Sequence, residues 1–166
     1  METIQSKDNR ISSLLYLYDM HSGFFTNVLD GISDKDAYNR LDTKANHVAW
    51  LAGSLVQQRF EMFNWITGGK EQQKGYELFK DNQGIRDGVT YPTLDEYKSD
   101  WNKITPKLRE ALINGEKATF DKKIEIPGME FTLFEILTFM VYREANCIGQ
   151  IALWRRLLGY EPMKYM

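Results

Sequence analysis

Four long segments of this chain repeat apolar residues at intervals of three and four, and this periodicity limits the fold more than any other feature. Such spacing places side chains on one face of a helix. The segments run from about Asn9 to Leu29, from about Thr43 to Ile66, from Thr93 to Asn114 and from Thr132 to Leu158. Four amphipathic helices in 166 residues predict a single all-α domain over residues 1–166, a four-helix bundle.

Residue types that are typical of helix caps lie at the ends of the predicted helices. The third and fourth segments each open with a Thr-x-x-Glu capping box, Thr93 to Glu96 and Thr132 to Glu135. In this motif the hydroxyl accepts from a free amide of the first turn while the glutamate reaches back to the cap residue. Glycines follow the segments as stops, because glycine adopts the left-handed conformation that ends many helices.

Three features interrupt the regular pattern. A long polar stretch from Gly69 to Pro92 predicts a crossover between the second and third helices. Pro106 lies inside the third helix and predicts a kink near Thr105, since proline removes a backbone donor. Lys122 to Ile126 alternates weakly before Pro127 and Gly128, which predicts at most a strap or a short hairpin arm.

Composition excludes several classes of partner. The net charge is -2, and the 21 Lys and Arg residues are scattered, so the phosphate-binding basic patch of a nucleic-acid-binding protein is missing. No stretch approaches the ~20 apolar residues that cross a bilayer, so we expect no membrane contact. The first seven residues lack the apolar region of a signal peptide, and Cys147 is the only cysteine. A reducing, cytoplasmic location is therefore predicted.

Two segments carry a family resemblance, residues 46–54 (NHVAWLAGS) and residues 143–151 (REANCIGQI), the latter followed by RRLLG at 155–159. Together with YPTLDE at residues 91–96, they resemble the DinB/YfiT-like superfamily along nearly the whole chain. The resemblance implies a four-helix bundle with zinc or nickel on three histidines. It also implies a homodimer, because many members dimerise. Characterised members include metal-dependent thiol transferases, and others are classed as metal-dependent hydrolases.

The histidines of the family pattern are replaced here. The family's Trp-x-x-Gly-His pattern falls on Trp50, Gly53 and Ser54, and its two helix-four histidine positions fall on Arg143 and Cys147. A protonated guanidinium has no lone pair to give a metal, and serine is a poor zinc ligand. We therefore predict no metal and no cofactor in this chain.

Arg143 has two interpretations. Its charge replaces the metal ion and binds the carboxylate or phosphate of a small anionic ligand. Alternatively, it forms an internal ion pair with Glu144 or Glu61 that fills the former metal cavity. The internal pair is the favoured of the two.

Other polar residues near these positions are candidates for lining a pocket. Cys147 is either a nucleophile or, as favoured, a small buried hydrophobe. His21 either supplies an acid or base to the pocket or is a satisfied core histidine, which is favoured. Glu144 and Gln150 are candidate lining residues, and Gly149 is interpreted as a site of close helix packing.

These observations lead to a functional prediction with alternatives. The favoured function is a metal-free, DinB-like module that binds a small molecule or takes part in a stress response, with no reaction specified. The first alternative is a thiol-dependent transferase or hydrolase-type enzyme with an altered active site, in which Arg143 orients the substrate and His21 or Cys147 reacts. The second is a structural role in which the bundle mainly forms a homodimer.

Overall fold

Helices dominate the computed structural model, which describes residues 6–126 and 128–165 of the chain. With 65% helix and 4% strand, the predicted all-α class is confirmed. Within the described residues the elements are α1 (Asn9–Leu29), α2 (Asp34–Ala37), α3 (Val48–Thr67), α4 (Tyr76–Phe79), α5 (Leu94–Asn114), α6 (Lys117–Phe120), β1 (Lys123–Ile126), β2 (Met129–Thr132) and α7 (Leu133–Leu157). None of the described helices is both long enough and apolar enough to span a membrane.

The two predicted capping boxes are confirmed, whereas Gly115 follows α5 in an extended conformation, with φ -64° and ψ 133°, and not in the left-handed one. Thr93 and Thr132 each accept a hydrogen bond from the backbone of the glutamate three residues on, and that glutamate accepts from the backbone of the cap residue. Gly68 ends α3 with a φ of 74°. The left-handed conformation suits glycine because it has no Cβ to clash with the backbone.

The second long helix begins later than predicted, at Val48 and not at Thr43. Leu41 and Asp42 have φ values of 46° and 58°, which no α-helix accommodates. His47 is the N-cap, and its Nδ1 accepts a hydrogen bond of 3.1 Å from the Trp50 amide. The third long helix, α5, continues through Pro106 as one element.

The segment between α3 and α5 is held against α3. It contains α4 and a 3₁₀ turn over Lys80–Asn82, and the side chain of Phe79 is buried. The side-chain amide of Gln73 donates to the Gly53 carbonyl and to Oε1 of Gln57, both at 3.0 Å. The predicted crossover is therefore an ordered wall on one side of α3.

The strap before α7 is a two-stranded antiparallel hairpin. β1 pairs with β2 in a register that sets Lys123 opposite Thr132 and Ile126 opposite Met129. Pro127, at which the sequence pattern ended, lies outside the described residues.

The core between the long helices consists of two apolar clusters joined by a buried charge. α1 and α3 each pack against α5 and α7. One cluster contains Trp101, which stacks on Phe25 with ring centroids 3.9 Å apart, and the other contains Tyr18. The guanidinium of Arg59 lies between them, 3.5 Å from the ring centroid of Trp101 and 4.0 Å from that of Tyr18.

Candidate ligand-binding site

A cavity of about 240 Å³ lies between α3 and α7, with the crossover as its third wall. Its lining residues come from α3 (Trp50, Ser54, Gln57, Gln58 and Glu61), from the crossover (Phe79, Asn82 and Gln83) and from α7 (Phe139, Met140 and Arg143). Ser54 and Arg143, two of the three ligand positions that the resemblance predicts, therefore line this cavity.

Two neutral side chains of α3 hold Arg143 in place. Its Nη2 donates to Oγ of Ser54 at 2.6 Å, and its Nη1 donates to Oε1 of Gln58 at 2.9 Å. The orientation of Gln58 is set in turn, because its Nε2 donates to the Met140 carbonyl at 2.9 Å. The Arg143 guanidinium forms no ion pair with any carboxylate of residues 6–126 and 128–165.

The predicted ion pair of Arg143 with Glu144 or Glu61 is therefore wrong. Adjacent residues of a helix point about 100° apart, so Glu144 faces the core while Arg143 faces the cavity. Glu61 lines the same cavity as Arg143 but forms a hydrogen bond with Gln57.

Glu61 is a half-buried carboxylate at the cavity wall. Its Oε1 accepts from Nε2 of Gln57 at 2.9 Å. Burial raises the pKa of Glu61 above its ordinary value, and the Gln57 hydrogen bond and the charge of Arg143 offset part of this rise. The carboxyl group therefore keeps a proton to higher pH than an exposed glutamate does.

The polar cavity wall on α3 is a stripe that the sequence analysis missed. Ser54, Gln57, Gln58 and Glu61 are spaced by three, one and three residues, which places them on one helical face. This polar stripe lies within a helix whose other positions are largely apolar. A search for polar residues at helical spacing near Ser54 would have found it.

Glu144, a predicted lining residue, lies in the core instead. It is fully buried and paired with the fully buried Arg59, with Nε to Oε1 at 2.8 Å and Nη2 to Oε2 at 3.0 Å. Nη1 of Arg59 also donates to Oγ of Ser22 and to Oγ1 of Thr105. Burial alone raises the pKa of Glu144, but the charge of Arg59 and the contact with His21 outweigh it and lower the pKa.

His21 and Cys147 also lie away from the cavity. Nδ1 of His21 is 3.3 Å from Oε2 of Glu144, close enough for an ion pair but without the alignment of a hydrogen bond. The Cys147 thiol is 5% exposed and packs in the larger core cluster. Burial raises the pKa of this thiol, which the charge of Arg143 offsets only in part. Cys147 is thus buried, as its favoured interpretation predicts.

Two further predictions on α7 are wrong. Gln150 is exposed and bonds Asn146 at 2.7 Å, so it does not line the cavity. Outside the backbone of α7 itself, a Cβ at Gly149 would meet no atom of the described residues within 4 Å, so none of the other described helices approaches this glycine. Both residues lie on the outward face of α7. The close approach occurs at Gly53, where a Cβ would overlap the rings of Phe79 and Tyr97.

The residues at the predicted ligand positions do not fit a metal ion. Arg143 is a cation without a lone pair for a metal, and it bonds the side chain at a second predicted ligand position, Ser54. Among the described residues, no group of three or more His, Cys, Asp and Glu side chains could hold an ion. The absence of a metal in the protein stays a prediction that metal analysis has to test.

No protein-family model matches the chain, and a search of curated proteins finds no significant match. The resemblance to the DinB/YfiT-like superfamily thus depends on the residues quoted above and stays a prediction.

Proposed function

We propose that this protein is a DinB-like four-helix bundle that has lost its metal and binds a small molecule through an anionic group. The observation that carries the proposal is the guanidinium of Arg143 at the cavity wall, bonded to the neutral Ser54 and Gln58. We further propose that it works in the cytoplasm, as the single, buried cysteine suggests.

The charge of Arg143 is free to bind an anion. Its two protein partners are uncharged, so they orient the guanidinium without neutralising it. A guanidinium has five N–H donors, and two hydrogen bonds leave donors for a carboxylate or phosphate oxygen. Because Ser54 and Gln58 already fix the geometry, little side-chain entropy is lost on binding.

The alternative of a thiol-dependent transferase or hydrolase-type enzyme has less support. It required His21 or Cys147 to share a cavity with Arg143. His21 contacts Glu144 in the core, and Cys147 is buried with a raised thiol pKa. A binding protein needs neither residue at the cavity.

Isothermal titration calorimetry with hexanoate and hexyl phosphate tests the proposal. We expect the wild type to bind at least one of these anions and Arg143→Gln to lose that binding. Arg156→Gln is the matched control, since Arg156 lies exposed on the same helix. Absence of binding in the wild type, or unchanged binding in Arg143→Gln, would refute the role of Arg143.

Metal analysis of protein purified without chelator tests the other half of the proposal. We expect no stoichiometric zinc or nickel, because the Arg143 cation repels an ion at this position. A stoichiometric metal that is lost in Ser54→Ala would show that the site still coordinates an ion.

We also propose a homodimer through α1 and α7, which are neighbours in the fold. Every exposed residue of α1 at positions 11–29, and of α7 at positions 136–154, is uncharged. Tyr16, Tyr142 and Leu153 are 56%, 65% and 58% exposed. Depletion of charge and enrichment in aromatic residues are typical of interface cores, and a twofold axis would pair this surface with itself.

Light scattering after size exclusion tests the dimer. We expect a dimer for the wild type and a monomer for Tyr142→Glu, because a twofold interface would bring two carboxylates together. Glu130→Gln, on the exposed hairpin, is the control for a neutral surface change. A wild-type monomer at high concentration would refute the dimer.

A further inference from the structure

The cavity between α3 and α7 contains two opposite charges that are not paired with each other. Arg143 bonds Ser54 and Gln58, and Glu61 bonds Gln57, so each charged group has only neutral partners among the described side chains. A ligand with one anionic group complements only the charge of Arg143, whereas a ligand that also carries a cation complements both charges.

Hydrogen-bonded amides hold each of these charges in place. Gln73, which is 3% exposed, donates to Gln57, and Gln57 donates to Glu61. On the other side, Gln58 accepts from Arg143 and donates to the Met140 carbonyl. Both charged groups are therefore oriented before a ligand arrives, which reduces the entropy lost on binding.

The positions on α3 limit the distance between the two ligand charges. Arg143 is held at Ser54 and Gln58, which lie seven and three residues before Glu61. At 1.5 Å per residue, this corresponds to about 5–10 Å along the helix axis. The charges of the ligand would be separated by a similar distance.

The other lining residues and the cavity volume limit the size and polarity of the part of the ligand between its two charges. Trp50, Phe79 and Met140 also line the cavity and offer apolar contact. The volume of about 240 Å³ is below the about 300–1,000 Å³ of pockets for drug-sized ligands. A short, apolar linker between the two charged ends fits this space.

We infer that the cavity binds a small dipolar molecule, an amine-carboxylate or amine-phosphate, whose anion is bound by Arg143 and whose ammonium group is bound by Glu61. The inference depends on the proposed function, because it assigns a second contact to the ligand that Arg143 binds. An ammonium group on Glu61 would form a charge-assisted hydrogen bond in a partly buried site.

Calorimetry with matched probes tests the ammonium contact. We expect 6-aminohexanoate to bind the wild type at least about tenfold more tightly than hexanoate, which lacks the amine. In Glu61→Gln, which keeps the shape of the side chain, the two probes should bind equally. Glu110→Gln, exposed on α5, should keep the wild-type preference.

The outcomes separate this inference from the proposed function. Equal binding of 6-aminohexanoate and hexanoate to the wild type would overturn the ammonium site and leave the anion site standing. A preference that persists in Glu61→Gln would also overturn it. If the wild type binds hexyl phosphate but neither of these two probes, the ammonium site fails and the anion site stands. If it binds none of the three compounds, both sites fail.

Discussion

The buried ion pair between Arg59 and Glu144 joins α3 to α7 inside the core, and we predict that Glu144→Gln strongly destabilises the protein. Both side chains are fully buried, and two hydrogen bonds of 2.8 and 3.0 Å connect them. The guanidinium also lies 3.5 Å from the Trp101 ring centroid. The substitution keeps the size of the side chain and removes its charge.

The expected loss follows from the burial of the remaining charge. Removing one partner of a buried ion pair typically costs about 3–5 kcal/mol, because the other charge stays in the core without compensation. In a domain of about 150–250 residues, each kcal/mol lowers the melting temperature by about 2–4 °C. A decrease of about 6–20 °C in the melting temperature is therefore expected for Glu144→Gln. The loss of about 3–5 kcal/mol is a large part of the about 5–15 kcal/mol by which a typical domain is stable.

Urea unfolding followed by tryptophan fluorescence and by circular dichroism measures this loss. Glu130→Gln is the matched control, because Glu130 forms an exposed pair with Lys123, and we expect no measurable change in its unfolding midpoint. Replacing both partners, with Arg59→Met and Glu144→Leu, should recover part of the stability since no charge stays unpaired. A loss below about 1 kcal/mol for Glu144→Gln would refute the argument that this pair links the two helices.

Four further predictions follow from the burial and packing of individual residues. The free energy of unfolding should fall as the pH drops below 4.5, the ordinary pKa of a glutamate such as Glu144. The pKa of Glu144 is lowered in the folded protein, so its carboxylate takes up a proton in the unfolded chain at a higher pH than in the folded one. An equally steep fall for Glu144→Gln would contradict this prediction. Iodoacetamide should alkylate Cys147 far more slowly in the native protein than in urea, since the thiol is buried and its pKa raised; equal rates, measured by mass spectrometry, would contradict the packing. In urea unfolding, Gly149→Ala should stabilise the protein by about 0.5–1 kcal/mol, because alanine favours a helix more than glycine does and the new Cβ meets no other described residue. Gly53→Ala should destabilise the protein, because the new Cβ overlaps the Phe79 and Tyr97 rings. If Gly149→Ala proved the less stable of the two variants, the packing described for both glycines would be refuted.

Much of the secondary structure was predictable because its causes are local. The capping boxes at Thr93 and Thr132 need only residues within one turn, and both form as predicted. The start of α3 was predicted too early, at Thr43, although the apolar stripe of this helix begins only at Val48, directly after the cap at His47. Left-handed residues such as Leu41 leave no signal in apolar periodicity, so the loop before α3 was not foreseen.

The candidate site was predictable only in part. Ser54 and Arg143 were identified from the family pattern, and the structure brings them into direct contact. The partners of the charged residues were not foreseen, since Arg59 and Glu144 are 85 positions apart in the chain.

Helical periodicity and caps, which act over a few residues, specify where the long helices lie and which side chains share a face. They do not specify how each helix rotates against its neighbours. That rotation turns Glu144 toward Arg59 in the core and Arg143 toward the cavity, and it leaves Gly149 outside while Gly53 meets the crossover. Only the packing of distant segments determines this rotation, because its ion pairs and close contacts join side chains that are far apart in the sequence.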